Sequence, residues 1–177
     1  MKPTIISLSG KARHGKDSTV KIIQDKLESQ NKKCLHMAYG NLVKYICKEY
    51  FNWNGQKDEK GRTILQQIGT NKIRSKEPNF WVDFIINLLN VIGEDYDYIL
   101  ISDCRFLNEI QRYMEEGYYI ITIYVERLNF DNGLTEEQKN HPSETALNDY
   151  EFDYYLEAES LDELEYEINS KLGFLFE

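Results

Sequence analysis

Gly10-Lys11-Ala12-Arg13-His14-Gly15-Lys16-Asp17-Ser18 has the spacing of a phosphate-binding loop: two glycines separated by four residues, then a lysine. Its context carries the reading. The run before it, Thr4-Ile5-Ile6-Ser7-Leu8-Ser9, is short and β-rich and reads as a buried strand. After it, Val20, Ile23 and Leu27 fall at helical spacing. In a strand–loop–helix unit of this kind, Gly10 and Gly15 let successive N–H groups point at one place. The new helix adds the positive end of its dipole, and Lys16 supplies a mobile cation. The loop departs from the usual pattern once. Asp17 stands where a hydroxyl normally meets magnesium, and Ser18 follows it. A carboxylate holds Mg²⁺ directly or through water, so either side chain is a metal candidate.

The bulk properties narrow the partners. A length of 177 residues with 41% hydrophobic content suits one domain with a real core. The formal net charge of −9 argues against a nucleic-acid polymer, whose binders need a basic face. A small anionic ligand needs only a few well-placed cations. Cys34, Cys47 and Cys104 form no Cys-x-x-Cys pair, so inert thiols in a reducing cytosol are expected rather than zinc or dithiol chemistry. There is no signal-peptide pattern, and no apolar run approaches the roughly 20 residues that span a bilayer. The expectation is a soluble cytoplasmic protein with no membrane partner. The 13 tyrosines suit core or interface equally, which leaves a homodimer open.

Further along, residues 34–39 read as a second strand, parallel to the first because a helix intervenes. Asn41 is placed to cap the next helix, with Leu42, Tyr45 and Ile46 inward. Residues 52–61 are polar and turn-rich, an exposed loop. Residues 62–72 predict a helix. Pro78 opens another, with Trp81, Phe84, Ile85, Leu88, Leu89 and Ile92 as its apolar stripe and Gly93 at its end. Residues 97–103 form an apolar central strand, 105–116 a helix with Phe106 and Met114 inward, and 118–125 another strand. Residues 126–144 are long, polar and irregular. A short strand at 152–156 and a helix from Ser160, its cap, complete the chain. The alternation predicts one doubly wound α/β domain over residues 1–177, three layers deep, with a parallel sheet of about five strands.

Ligands of such sheets bind beyond the carboxyl ends of the strands. The phosphate loop, Asp103-Cys104-Arg105 and Glu126-Arg127 all follow strand ends and should meet on one edge. Asp103 is placed to hold Mg²⁺ through water or to accept a proton; its plainer reading is a helix cap. Arginine is scarce, at Arg13, Arg62, Arg74, Arg105, Arg112 and Arg127. Planar guanidinium suits phosphate better than ammonium does, which favours Arg74 and Arg105 as phosphate clamps, with Arg127 at the same edge. Arg112 reads as a surface charge, and Arg13 faces nucleotide or solvent. His14 is placed to contact phosphate, whereas His36 reads as core. The insert at about 126–145 has the length of a mobile lid and ends in His141-Pro142-Ser143-Glu144; its plainer reading is an acidic surface loop.

These residues resemble a known family. Gly15-Lys16-Asp17-Ser18 is similar to the Gly-Lys-Asp-Ser/Thr loop of the phage-type deoxynucleoside monophosphate kinases. Leu42-Val43-Lys44, residues 61–70, Arg74 and Asn79-Phe80-Trp81-Val82 also resemble that family, as do His141-x-Ser143-Glu144 and Asp153-Tyr154. The strongest likeness is Ile101-Ser102-Asp103-Cys104-Arg105-Phe106-Leu107-Asn108-Glu109, close to Ser-Asp-Val-Arg-Phe-x-Asn-Glu. The resemblance implies a P-loop fold and phosphoryl transfer from ATP–Mg²⁺ to a (deoxy)nucleoside 5′-monophosphate. It implies donor phosphates on residues 10–18, metal at Asp17, Ser18 and Asp103, and reaction-centre roles for Lys16, Asp103 and Arg105; Arg127 joins these as a catalytic candidate from its strand-end position alone. It implies an acceptor held by Lys44, Arg74, Trp81 and Arg105, with Glu109, His141 and Glu144. Two departures stand out. Gly40-Asn41-Leu42-Val43-Lys44 replaces a frequent Asp-Pro-Leu-Lys, and Leu107 replaces a frequent proline.

A phosphomevalonate kinase, whose loop looks similar, is the nearest alternative enzyme. A GTPase-like switch would read guanine with Asn-Lys-x-Asp, but Arg74 follows Asn71-Lys72-Ile73 here. A remnant that binds nucleotide without transferring phosphate is the third alternative. The base and sugar of the acceptor are left open.

Overall fold

Strand β1 (Thr4–Ser9) sends successive side chains into two different cores. Ile5 packs with Ile99 and Ile101 on one face of the sheet, and Ile6 and Leu8 pack with Leu100 on the other. Burial on both faces is why the strand Tyr98–Ile101 beside it carries almost no polar alternation and why the serines of β1, Ser7 and Ser9, are themselves buried. The structure is a computed structural model describing residues 1–56 and 58–176. Lys57, within the loop expected at 52–61, lies outside them.

The remaining strands are β2 (Cys34–Met37), β3 (Tyr98–Ile101), β4 (Ile120–Arg127) and β5 (Tyr154–Ala158). All pair in parallel, in the order β2-β3-β1-β4-β5. The helices are α1 (Lys16–Ser29), α2 (Tyr39–Tyr50), α3 (Glu59–Gln66) and α4 (Phe80–Ile92), then α5 (Asn108–Glu115), α6 (Glu136–Lys139), α7 (Pro142–Thr145) and α8 (Leu161–Leu172). Helices α1 and α8 cover one sheet face; α2, α4 and α5 cover the other. The expected three layers and parallel sheet of five strands are thus present. Among the described residues no helix is long and apolar enough to cross a membrane.

Several local expectations are corrected. Helix α2 starts at Tyr39 after Ala38, so Asn41 lies inside it and its side chain instead accepts from Lys44 Nζ at 3.0 Å. Tyr45, expected inward, is largely exposed. The buried stripe of α4 is Trp81, Val82, Ile85, Ile86 and Leu89, with Phe84 exposed. This helix has a narrow polar stripe, Asp83, Asn87 and Asn90, so the apolar arc is wider than the face that is buried. Its rotation is pinned by Trp81 Nε1, which donates to Gly69 O at 2.9 Å. Helix α3 begins earlier than predicted because Asp58 caps it, accepting from Gly61 N at 2.7 Å. It then continues as a π-helical segment, Gln67–Arg74, a rare winding associated with functional sites. Helix α5 starts only at Asn108, leaving Phe106 before it, and Met114 is exposed. His36 is exposed because β2 is an edge strand. The stretch after β4 is not irregular throughout but holds α6 and α7.

Candidate active site

The phosphate loop bends because its glycines adopt backbone angles that other residues rarely tolerate. Gly10 has φ +139°, and a Cβ there would lie 2.2 Å from Val125 O. Gly15, with φ +91°, precedes the first turn of α1. Lys16 folds back across the loop, donating from Nζ to Gly10 O at 2.9 Å and Lys11 O at 2.8 Å. It is 7% exposed. Burial, helped by the nearby Arg105 charge, brings its pKa down to about 7, against the pull of Glu144, Asp103 and Asp17. Asp17 is exposed and Ser18 half-buried on the same turn.

Side chains of the loop tie it to the end of β4 and to the segment beyond. His14 Nδ1 accepts the Arg127 N–H at 3.1 Å. Burial, then Lys16, lower the His14 pKa and favour the neutral ring that this acceptor role requires. Arg127 is exposed, with its guanidinium 4.3 Å over the Phe130 ring. Arg13 donates to Asn132 O at 2.9 Å. Lys11 Nζ reaches Glu144 O at 2.6 Å and Asn148 Oδ1 at 2.7 Å.

Glu144, from α7, lies at the centre. Its Oε2 accepts the Ala12 N–H at 3.0 Å, and its Oε1 pairs with Arg105. Arg105 also donates to Ser143 O at 2.9 Å. A loop amide and a guanidinium therefore converge on one carboxylate, and donors of these two kinds also bind phosphate oxygens.

Beside this point opens a cavity of about 270 Å³. Lys44, Arg62, Arg74, Asp103, Arg105 and Glu144 form much of its charged lining. Asp103 accepts the N–H groups of Tyr39 at 2.9 Å and Gly40 at 2.7 Å. It therefore caps α2, the helix after β2, rather than the helix that follows it in the chain. Glu109 is 1% exposed and accepts from Arg105 N at 2.7 Å, Phe106 N at 3.0 Å and the Arg74 guanidinium. Those bonds hold residues 105 and 106 out of α5. Arg74 also lies 3.9 Å over the Phe106 ring. Burial raises the Glu109 pKa, opposed by Arg74.

Of the residues singled out from sequence, Lys44, Arg74, Trp81, Asp103, Arg105, Glu109 and Glu144 thus line one cavity with Ala12 of the loop. Arg127 and His141 are not among its lining residues. His141 caps α7, its Nδ1 accepting from Ser143 N at 3.2 Å, and burial lowers its pKa. Arg62, Gln66, Thr70 and Gln138 line the cavity without having been singled out as site residues. Arg62 carried a signal in the scarcity of arginine. Gln66 and Thr70 lay within the family-like stretch at residues 61–70, whereas Gln138 carried no signal.

Solved structures with this architecture include the APS kinase CysC of Mycobacterium tuberculosis, in complex with AMPPNP and APS. It is 12% identical, with a TM-score of 0.53 over 97% of this chain and 98% of that one. TT1252 from Thermus thermophilus is 14% identical, with a TM-score of 0.53 over 98% of each chain. APE1195 is also 14% identical, with a TM-score of 0.55 over 99% of this chain and 98% of that one. At these identities the likeness establishes the fold. No curated protein matches the sequence significantly. The model of the family described as deoxynucleotide monophosphate kinase matches residues 30–168. With that match covering most of its length, the chain belongs to the deoxynucleotide monophosphate kinase family, which phosphorylates deoxynucleoside monophosphates at the expense of ATP.

Proposed function

We propose that the 270 Å³ cavity holds the deoxynucleoside monophosphate and that ATP–Mg²⁺ lies on the phosphate loop, the two meeting where Glu144 now sits. The observation that carries this reading is the convergence of the Ala12 N–H and the Arg105 guanidinium on the Glu144 carboxylate. In the reaction an acceptor phosphate oxygen forms a bond to the γ-phosphorus while the bond from that phosphorus to the β–γ bridging oxygen breaks. The products are a deoxynucleoside diphosphate and ADP.

Lys16 and the loop amides bind donor phosphates, and Lys44, Arg74 and Arg105 hold the acceptor phosphate. Positioning and charge neutralisation do most of the work in such transfers. Asp103, by capping α2, fixes Gly40 and Lys44 beside the acceptor, and a remaining lone pair is available to a metal-bound water or a proton. Among the described residues no group of three or more acidic, His or Cys side chains is set to cage a metal. Asp17 and Ser18 fit magnesium only if phosphate oxygens and water supply its other ligands, as is usual for this ion. When bound, the ion neutralises charge on the transferred group. Residues 126–145 act as a lid that excludes water, with Arg127 bracing it through Phe130.

ADP release from ATP–Mg²⁺ with each of the four common deoxynucleoside monophosphates tests this. At least one acceptor should raise turnover well above ATP alone, and Lys16→Ala should abolish the increase while the chain stays folded. Turnover no higher than ATP hydrolysis with every acceptor refutes the proposal.

A further inference from the structure

Helix α3 does not stop at Gln66 but widens into the π-helical stretch Gln67–Arg74, which closes with Ser75 N donating five residues back, to Thr70 O at 3.1 Å. By Glu77 the bonding has tightened again, its N–H reaching Ile73 O at 2.9 Å. A π turn holds about one residue more than an α turn. Wound as α-helix, the same stretch would deliver Arg74 about 100° away around the axis.

Arg74 has no room for such a rotation. Its guanidinium lies 3.9 Å over the Phe106 ring, donates to Pro78 O and Asn108 Oδ1, each at 3.3 Å, and pairs with the buried Glu109. All four partners lie outside the π stretch, before α4 or around the start of α5. The winding therefore decides whether this cation stands at the cavity.

The winding is anchored at Gly69. Its carbonyl accepts the Trp81 indole N–H, from α4, at 2.9 Å. Trp81 is 2% exposed, so this N–H must find its partner inside the protein. A Cβ at position 69 would stand 3.2 Å from Val43 Cγ1, so the glycine also lets the stretch press against α2. Helices α2 and α4 and the π stretch thus meet at one residue. Each contributes to the cavity, through Lys44, Trp81 and Arg74 respectively.

We propose that Trp81 is a positioning residue for the acceptor phosphate: its bond to Gly69 O holds the π winding that brings Arg74 to the cavity. The inference rests on the acceptor placement proposed above. Because the Trp81 ring also lines the cavity, its action through Arg74 has to be separated from direct contact with the base.

Deoxyribose 5-phosphate makes that separation, since it carries the phosphate without a base. Its inhibition constant against the best monophosphate acceptor is measured at saturating ATP–Mg²⁺, in the full chain, Trp81→Phe, Arg74→Lys and the double variant. Trp81→Phe keeps an aromatic ring and removes the N–H. The constant should rise about fivefold, the worth of one hydrogen bond, with KM for ATP unchanged. In the Arg74→Lys background the same change should add little, as expected of coupled residues. Gly69→Ala, which crowds Val43 at the same joint, takes the place of Trp81→Phe if that variant does not fold. An unchanged constant, an equal rise in the Arg74→Lys background, or no competition by deoxyribose 5-phosphate in the full chain overturns this inference and spares the kinase assignment. Failure of every monophosphate to raise turnover overturns both.

Discussion

Glu144 Oε2 accepts the Ala12 backbone N–H at 3.0 Å, across 132 residues of chain. The carboxylate thereby occupies a place on the phosphate loop that, on the proposed reading, a phosphate oxygen takes during the reaction. It competes there with the nucleotide and repels it. Glu144→Gln keeps the side-chain size and removes the charge. The expected outcome is several-fold tighter binding of a non-hydrolysable ATP analogue by titration calorimetry, in line with charge-assisted bonds of about 1.5–3 kcal/mol. Unchanged or weaker binding would show that the carboxylate supports the loop rather than standing in for phosphate.

Lys16 gives a pH signature. Its pKa is about 7 in the folded chain against 10.5 for an ordinary lysine, so between those values the unfolded chain carries a proton that the folded chain has lost. Lys16 therefore makes stability rise as pH increases from about 7 towards 10.5. Phosphates beside Lys16 favour its charged form, so nucleotide binding at pH 8 should take up protons. Calorimetry in buffers of different ionisation enthalpy measures the uptake, and Lys16→Met should remove it. Equal uptake in that variant would assign the proton elsewhere.

Glu109 is a buried partner to Arg74 and to two backbone N–H groups. Glu109→Ala strands a partly buried guanidinium and both amides, a loss of about 3–5 kcal/mol. Thermal unfolding should show a clear drop in Tm. Glu109→Gln should cost less and should raise KM for the monophosphate more than KM for ATP, because Arg74 lines the cavity proposed for the acceptor. Equal changes in both constants would argue against acceptor positioning through Arg74.

Gly10→Ala would drive a Cβ to 2.2 Å from Val125 O in a backbone conformation with φ +139°. The loop or the end of β4 must then move. Nucleotide affinity should fall by at least tenfold, with stability lower by more than about 1 kcal/mol. Calorimetry and denaturant titration check the two effects separately.

The strand–loop–helix unit at residues 4–27 was legible from sequence because each part depends on near neighbours. Helical spacing after Lys16, the apolar run before Ser9 and the two glycines are local facts. The central apolar strands were legible for the same reason, and the strand-end positions of residues 103–105 and 126–127 followed from them. Residues 101–109 and 141–144 were recognisable as motifs, although their mutual geometry was not. On α4, Trp81, Ile85 and Leu89 are buried as their spacing implied, whereas Phe84 is exposed and Val82 and Ile86 are buried instead; the apolar arc is wider than the buried face, and the Trp81–Gly69 bond helps to set which part turns inward.

Local chemistry along the chain was thus enough to specify an α/β nucleotide fold and to nominate its loop, its strand-end acid and its arginines. It did not reveal that Asp103 caps a helix 63 residues away, or that Glu144 docks on Ala12. Those pairings follow from the strand order β2-β3-β1-β4-β5, which brings β1 and β3 side by side and carries the chain back over the loop after β4. Side-chain periodicity is set by neighbours a few residues apart. Which oxygen meets which N–H across a hundred residues is set by the packing of whole layers.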